Sequence, residues 1–447
     1  MKNLRALAVA VVIGLLSGLG IYFAFLKREP PKELPSLSPR SGDATLQSEF
    51  LNAKNAVDHY RTEIRTHPDI TKNYVQLAQL LMQEARITAK HHEYIPKAQS
   101  LLDEALRRAP QDFEALATKA ALLMTLHRFE EAKAFAEKAT AQNAYNASSY
   151  GVLCDAQVEL GNYEDAIKTC DKMLSLRPDL RAYARAAYLR ELHGDLQGAT
   201  DLMRLAADAG ISGQENRAWV LYQLGSLYFT QGKIDTAAFI YTGILEERPN
   251  FAYAESGLAM VKAAKKENGA ATGYFIKAAQ SAPEHVFLEQ LADFYLALGQ
   301  KQPAEELAKK VLTAFEEHEK DGWNIDREKA AFLLIHNLQP DESLMRAKRD
   351  CARRPKNIDA LETYALALHK TGKSAQAAPL IAQAMRLGTK RATLHYHAAT
   401  IYRAAGKSSE ALAELRRATD ERIDLYPLYA AGAKSLMDSL TQVAAVK

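Results

Sequence analysis

From about residue 44 onward, apolar residues recur at three- and four-residue spacing in runs of about thirteen, broken by short polar turns. That spacing lines apolar side chains along one face of a helix. The runs are themselves periodic. The small residue inside "EEA", "EDA", "QGA", "DTA", "GAA", "QPA", "AQA" and "SEA" falls at Ala132, Ala166, Ala199, Ala237, Ala271, Ala304, Ala377 and Ala411. Successive positions are separated by roughly 34 residues. The step from Ala199 to Ala237 is slightly longer, and the step from Ala304 to Ala377 spans two periods with a degenerate unit around Ser343. Two further markers keep the same phase. Glycine stands five positions earlier at Gly161, Gly194, Gly232, Gly299, Gly372 and Gly406. Proline stands twelve positions after Ala98, Ala166, Ala237 and Ala271, at Pro110, Pro178, Pro249 and Pro283.

Each unit predicts a helix ended by glycine, a short turn, and a second helix that closes before proline. Glycine accepts the left-handed conformation at a helix C-terminus, and proline cannot continue a helix. The small residues sit where the paired helices cross, because only a short side chain lets the backbones approach there. The clearest unit is Ala218–Phe251. It resembles the tetratricopeptide repeat family, with Gly225, Tyr228, Ala237, Tyr241 and Pro249 matching that family's small, aromatic and proline positions. Ile244 stands where the family has alanine. The resemblance implies an all-α fold. It would be an α-solenoid in which antiparallel helix pairs wind into a right-handed superhelix, with about ten repeats over 44–425. A C-terminal helix and tail over 426–447 should cap the open end of the stack. "RITAKHHEYIP" exceeds the consensus length in the first repeat and is expected as a solvated loop.

The first 26 residues break the pattern. Leu7–Leu26 holds no charged residue across twenty positions. A helix of that length spans roughly 30 Å, enough to cross a bilayer. A cleaved signal peptide would have a shorter apolar region and a small-residue cleavage site, and "IYFAFLKREPP" offers none. We therefore expect a single transmembrane anchor at the N-terminus. Lys2 and Arg5 before the span nearly balance Lys27, Arg28 and Lys32 after it, and the short N-terminal tail favours a soluble part outside the cytoplasm, in the periplasm. Residues 27–43, with four prolines, read as an extended linker that holds the repeats off the membrane.

Composition adds little. The formal charge of the 447-residue chain is +3, which points to neither nucleic acid nor an anionic surface. Cys154, Cys170 and Cys351 form no disulfide framework. The first two fall at inward-facing positions of one repeat, as buried thiols or, in an oxidising compartment, a disulfide. "ALHKTGKS", Ala367–Ser374, matches a relaxed P-loop pattern but lies in helix phase at a repeat turn, so no nucleotide is expected. "KHHEY" lacks metal-ligand spacing. "RAKRDCARRPK" is a basic run without neighbouring stacking aromatics, hence a solvated outer face and not a nucleic-acid site. No catalytic set appears, so no enzyme activity, cofactor, metal or small-molecule substrate is expected.

In the family that this chain resembles, the first helix of each pair lines a concave groove. The resemblance places Arg181, Arg185, Tyr188, Trp219, Tyr222, Gln223, Phe229 and Tyr253 in that groove, as partner-binding residues for a protein or peptide. Arginine and large rings make interaction hot spots. The family's clamp for a C-terminal carboxylate needs one lysine and two asparagines. Ala117, Thr118 and Ala121 in one repeat and Gly151 and Asp155 in the next do not supply it. The expected function is a membrane-anchored scaffold for protein–protein interaction in envelope assembly. The alternatives are a cytoplasm-facing anchored adaptor and an accessory or regulatory subunit of an enzyme or assembly complex.

Overall fold

The computed structural model describes residues 33–40, 44–282 and 284–445. Among them are twenty-two α-helices, one 3-10 turn (Ile423–Leu425) and no strand. Helix α1 (Ala44–Thr66) stands alone, and ten antiparallel pairs follow. Repeats one to four are α2–α3 (Thr71–Thr88, His91–Arg108), α4–α5 (Phe113–Thr125, Phe129–Gln142), α6–α7 (Ala147–Glu159, Tyr163–Leu176) and α8–α9 (Leu180–Leu192, Leu196–Asp208). Repeats five to seven are α10–α11 (Glu215–Thr230, Ile234–Glu247), α12–α13 (Ala252–Ala264, Asn268–Ser281) and α14–α15 (His285–Ala297, Lys301–Lys320). Repeats eight to ten are α16–α17 (Asp326–Ile335, Pro340–Arg353), α18–α19 (Ile358–Lys370, Ser374–Ala384) and α20–α21 (Ala392–Ala404, Ser408–Asp420). Helix α22 (Pro427–Ala445) ends the chain of elements.

The marker residues do what their chemistry dictates. All eight phased alanines, and Ser343 in the degenerate unit, are completely buried at the crossing within each pair. Ser343 satisfies its hydroxyl by donating to the Ala330 carbonyl at 2.9 Å. The glycines at the turns have φ between 73° and 79°. His127, Lys266 and Asn337 hold the same left-handed turn position without glycine, at φ 54°, 61° and 52°.

The pairs wind so tightly that the turns of repeats two, three and four rest on the starts of repeats eight, nine and ten. In the first of these contacts the Asn324 amide donates to the Leu126 carbonyl at 2.9 Å. One repeat further, the Ile358 amide donates to the Tyr163 hydroxyl at 3.0 Å, and Arg354 reaches Glu159 at 2.8 Å. One further again, the Thr389 hydroxyl donates to the Leu192 carbonyl. A Cβ on Gly161 would collide with the Lys356 carbonyl group, and one on Gly194 with the Gly388 carbonyl oxygen. These turn glycines thus serve both the left-handed φ and the close approach of the next superhelical turn. The contact between repeats one and two and the end of repeat seven is aromatic. The Trp323 ring stacks on His318 at 4.7 Å and takes His91 and His127 edge-on at 5.4 and 5.7 Å.

Three expectations change. The residues "KHHEY" form no loop: the insertion lengthens α2 and α3 to 18 residues each, and His91 packs edge-on against Trp323. The described part of the linker is docked. Leu34 is 6% exposed in the first repeat's core, the Ser38 amide donates to the Tyr94 hydroxyl at 3.0 Å, and Arg40 forks onto Glu84. Helix α22 packs on α20 and α21, as a cap should, and also on α14 of repeat seven. Among the described residues no helix is long and apolar enough to cross a membrane. The span expected at 7–26 lies outside them.

Two outcomes follow from this packing. A Cβ on Gly257, in α12, would fall 2.6 Å from the Tyr241 ring, whereas one on Gly243 would meet nothing within 4 Å. Gly257→Val is expected to cost about 1–3 kcal/mol by overpacking, and Gly243→Val less than about 0.5 kcal/mol, read as shifts in denaturation midpoint. The second outcome concerns pH. Burial, with His285, His91 and His127 close by, lowers His318 from 6.5 to about 4, with Glu284 opposing. The unfolded chain therefore takes up a proton that the folded chain refuses, so His318 makes stability fall as pH drops from 6.5 toward 4. His127 has the opposite sign. Burial lowers it, but Glu328 raises it further, so its contribution is present below 6.5 and lost above. His318→Phe, which keeps the ring on Trp323, should flatten the fall in thermal midpoint between pH 6.5 and 4 followed by circular dichroism.

Candidate interaction site

The first helices of the pairs form the inner wall of the superhelix. Three of the expected rings meet there across neighbouring repeats. Trp219 and Tyr222 lie on α10, with ring centroids 5.7 Å apart. Tyr253 on α12 stands 4.8 Å from Trp219, edge to face, and 5.4 Å from Tyr222. Phe287 on α14 continues the series 5.0 Å beyond Tyr253. The Tyr253 hydroxyl donates to Glu284 at 3.2 Å. Burial first, then the Glu284 carboxylate, push that phenol far above its ordinary range. Trp219 keeps 38% of its surface exposed, and Gln223 beside it is half-buried.

Phe229 departs from the expectation. It is 5% exposed, and the chain's own Tyr426 covers its ring at 6.1 Å. It belongs to the core because the segment before α22 folds back onto repeat five. Arg185 is also committed within the fold. Its guanidinium forks onto Asp155 at 2.8 and 2.6 Å and reaches the Gly151 and Arg181 carbonyls, tying α8 to α6. Arg181 stays exposed, and Tyr188, at 41%, is the most exposed of the expected rings.

The same register in the last repeats reveals residues that the sequence reading passed over. Arg391 at the start of α20 bonds Asp359 at 2.7 Å and also Glu362, both on α18, and His397 bonds Glu362 at 2.8 Å. Burial works against the charges of Arg391, Asp359 and Glu362, yet Arg391 holds both carboxylates below their ordinary range and is itself held protonated. Glu328 is likewise buried, but Arg327 and His127 keep it well below the carboxylate range. Asp359, Glu362, His397 and Glu328 occupy first-helix positions equivalent to those read in repeats four to six, so the periodicity could have found them.

The basic run in and just after α17 is solvated only in part: Lys348, Arg349 and Lys356 are exposed, whereas Arg346 and Arg354 are buried. Arg346, Arg349 and Arg353 converge on Asp326, and Arg354, with 3% of its side chain exposed, spans Asp350 and Glu159. All four cations are thus paired with carboxylates of the chain, although Arg349 keeps 51% of its side chain exposed. Gly372 in the P-loop-like stretch is an ordinary repeat turn at φ 78°, and Ala367–Lys370 lies inside α18. The three cysteines are buried free thiols, and the Cys154 thiol donates to the Ala166 carbonyl at 3.4 Å. Among the described residues no group of three or more histidine, cysteine or carboxylate side chains could hold a metal.

Family models of the tetratricopeptide repeat match residues 127–190 and 220–251. The chain thus carries tetratricopeptide repeats, and the helix-pair unit occurs ten times among the described residues. No curated protein matches it. Among solved structures, a thermophilic TPR protein of Thermus thermophilus, TTC0263, is 21% identical over 43% of this chain and 98% of its own, with a TM-score of 0.38. Human IFIT1, solved as a dimer with PPP-AAAA, is 15% identical over 83% and 86%, with a TM-score of 0.45. PilW, a type IV pilus biogenesis factor, is 19% identical over 47% and 98%, with a TM-score of 0.38.

Arg185 acts as a strut between repeats three and four. Arg185→Ala should lower stability by about 1–2 kcal/mol, and adding Asp155→Ala should cost little more, as a double-mutant cycle on the denaturation midpoint would register.

Proposed function

We propose that the chain is a membrane-anchored scaffold that holds an extended segment of a protein partner inside its superhelix. The observation that carries this reading is the pair of rings left open on the inner wall, Tyr188 and Trp219, at 41% and 38% exposure. A rigid ring open to water beside half-buried rings is the composition of a binding hot spot, and solenoids use their concave face for partners. Protein interaction is what tetratricopeptide repeats supply. The eight groove positions read from the sequence narrow to Tyr188, Trp219, Tyr222, Gln223 and Tyr253, with Arg181 at the rim.

The anchor is Leu7–Leu26, with the repeats on the periplasmic side and envelope assembly as the setting. Residues 27–32 alone separate that span from the docked segment that begins at Glu33. So short a stretch reaches at most roughly 20 Å when fully extended. The first repeat then sits close to the membrane surface instead of being held off by a long spacer.

A photoreactive phenylalanine analogue placed at Trp219 or at Tyr188 in the full chain in cells should crosslink to one discrete protein. The same analogue at Phe239, 80% exposed on second helix α11, should not. Equal crosslinking from all three positions would refute the inner wall as the site. A C-terminal reporter active only outside the cytoplasm should be active, and an inactive one would place the repeats on the cytoplasmic side.

A further inference from the structure

A cavity of about 350 Å³ lies between α10, α12, α14 and the start of α22. Its walls are rich in aromatic residues: Tyr222 from α10, Phe294 from α14, Tyr426 just before α22 and Tyr429 in its first turn contribute rings. Their faces carry negative quadrupole charge. Asp293 is the one carboxylate in the lining, and no lysine, arginine or histidine lines the cavity. The other polar groups are largely satisfied by each other. The Ser256 hydroxyl bonds Gln290, and the Ser226 hydroxyl meets the Tyr241 hydroxyl at 3.2 Å. From outside the cavity the His336 imidazole donates to the Asp293 Oδ1 at 3.0 Å, and the Glu289 carboxylate, one helical turn earlier on α14, also interacts with it. The side chain is 29% exposed.

From these observations we infer that the cavity is a binding site for a substituted ammonium group. An anion would meet a carboxylate and ring faces with no cation to receive it. A neutral apolar ligand would strip water from Asp293 without replacing it, which is costly. An ammonium bearing alkyl groups satisfies both features, since its charge faces the carboxylate and the rings while its alkyl surface fills an aromatic space. The volume is at the lower end of the range of small-molecule sites, enough for a small organic cation. Two sources share this chemistry: a free quaternary amine, and the modified or unmodified lysine side chain of a segment lying in the superhelix. Only the second rests on the interior-binding reading above. The site itself needs no partner protein.

The test uses the full chain in detergent, with titration calorimetry corrected for protein-free micelles. The probes are phenyltrimethylammonium and its neutral isostere tert-butylbenzene. Phenyltrimethylammonium should bind with a Kd of about 1 mM or tighter, and tert-butylbenzene at least about tenfold more weakly. Asp293→Asn keeps the shape and the acceptor for His336, and should weaken the cation by about tenfold or more while leaving the neutral probe unchanged. Tyr429→Leu should weaken the cation as well. A capped glycine–trimethyllysine–glycine peptide separates the sources: tighter binding than the free cation assigns a partner's side chain, and weaker binding a free amine. The inference is overturned if the neutral isostere binds as tightly as the cation in the unaltered chain, or if no saturable binding appears up to about 10 mM. It is equally overturned if Asp293→Asn leaves the cation's affinity unchanged.

Discussion

The structure depends on one contact repeated along the chain: the turn inside a repeat lies against the entrance of the repeat six places later. The Asn324 amide on the Leu126 carbonyl, the Ile358 amide on the Tyr163 hydroxyl and the Thr389 hydroxyl on the Leu192 carbonyl are successive instances. Each satisfies a backbone group that a turn would otherwise leave to water, or anchors one to a side chain. Ordinary solenoid repeats touch only their neighbours, and their stability is close to a sum of local terms. Here the second superhelical turn is built on the first, so a defect in one repeat is felt far along the chain, as Arg354 on Glu159 across 195 residues illustrates.

That constraint decides what the inner wall can be. Closing the turns brings first-helix side chains of different superhelical turns into one interior. Burial first, then the carboxylates of Asp359 on α18 and Glu159 on α6, push the Tyr188 phenol, on α8, above its ordinary range. Charges in such a place are expensive unless paired, and these are paired: Arg391 with Asp359 and Glu362, and Arg185 with Asp155. The same closure draws in the C-terminal segment, where Tyr426 covers Phe229 and Tyr429 stands 5.3 Å from His397. Helix α22 is therefore both the cap of the last repeat and a lining element of the interior.

The helix pairs were legible because they follow from local rules. A buried small residue at every crossing, a left-handed glycine at the turn and a proline after the second helix leave marks at fixed spacing, and the structure places all eight phased alanines in the core. The winding was not legible, because it is the sum of small rotations between repeats that no single residue specifies. The misreadings trace to that sum or to contacts between segments far apart in the chain or in different helices. The insertion "KHHEY" looked solvated because its cover, Trp323, sits between repeats seven and eight. The arginines of α17 looked like an outer face because their partners Asp326 and Glu159 lie in other helices. Phe229 held a groove position by register, yet Tyr426, beyond the tenth repeat, closes over it. Leu34 was assigned to a spacer because a proline-rich stretch cannot build a core alone, although it can join one already built.

Pairing the interior charges has a consequence for recognition. A partner that relied on Arg185 or Arg391 would have to displace Asp155, or Asp359 and Glu362, and leave a carboxylate without its counter-charge in a partly dehydrated place. Affinity drawn from those residues would be offset by what they give up. The rings face no such penalty. Trp219 and Tyr188 lose only water when covered, and Tyr222 and Tyr253 already hold Trp219 in a preorganised series with little rotamer freedom left to lose. The closed winding therefore shifts recognition from the charged residues, which look most interactive in the sequence, to the aromatic ones. It makes the charged residues the scaffold that keeps the rings in register.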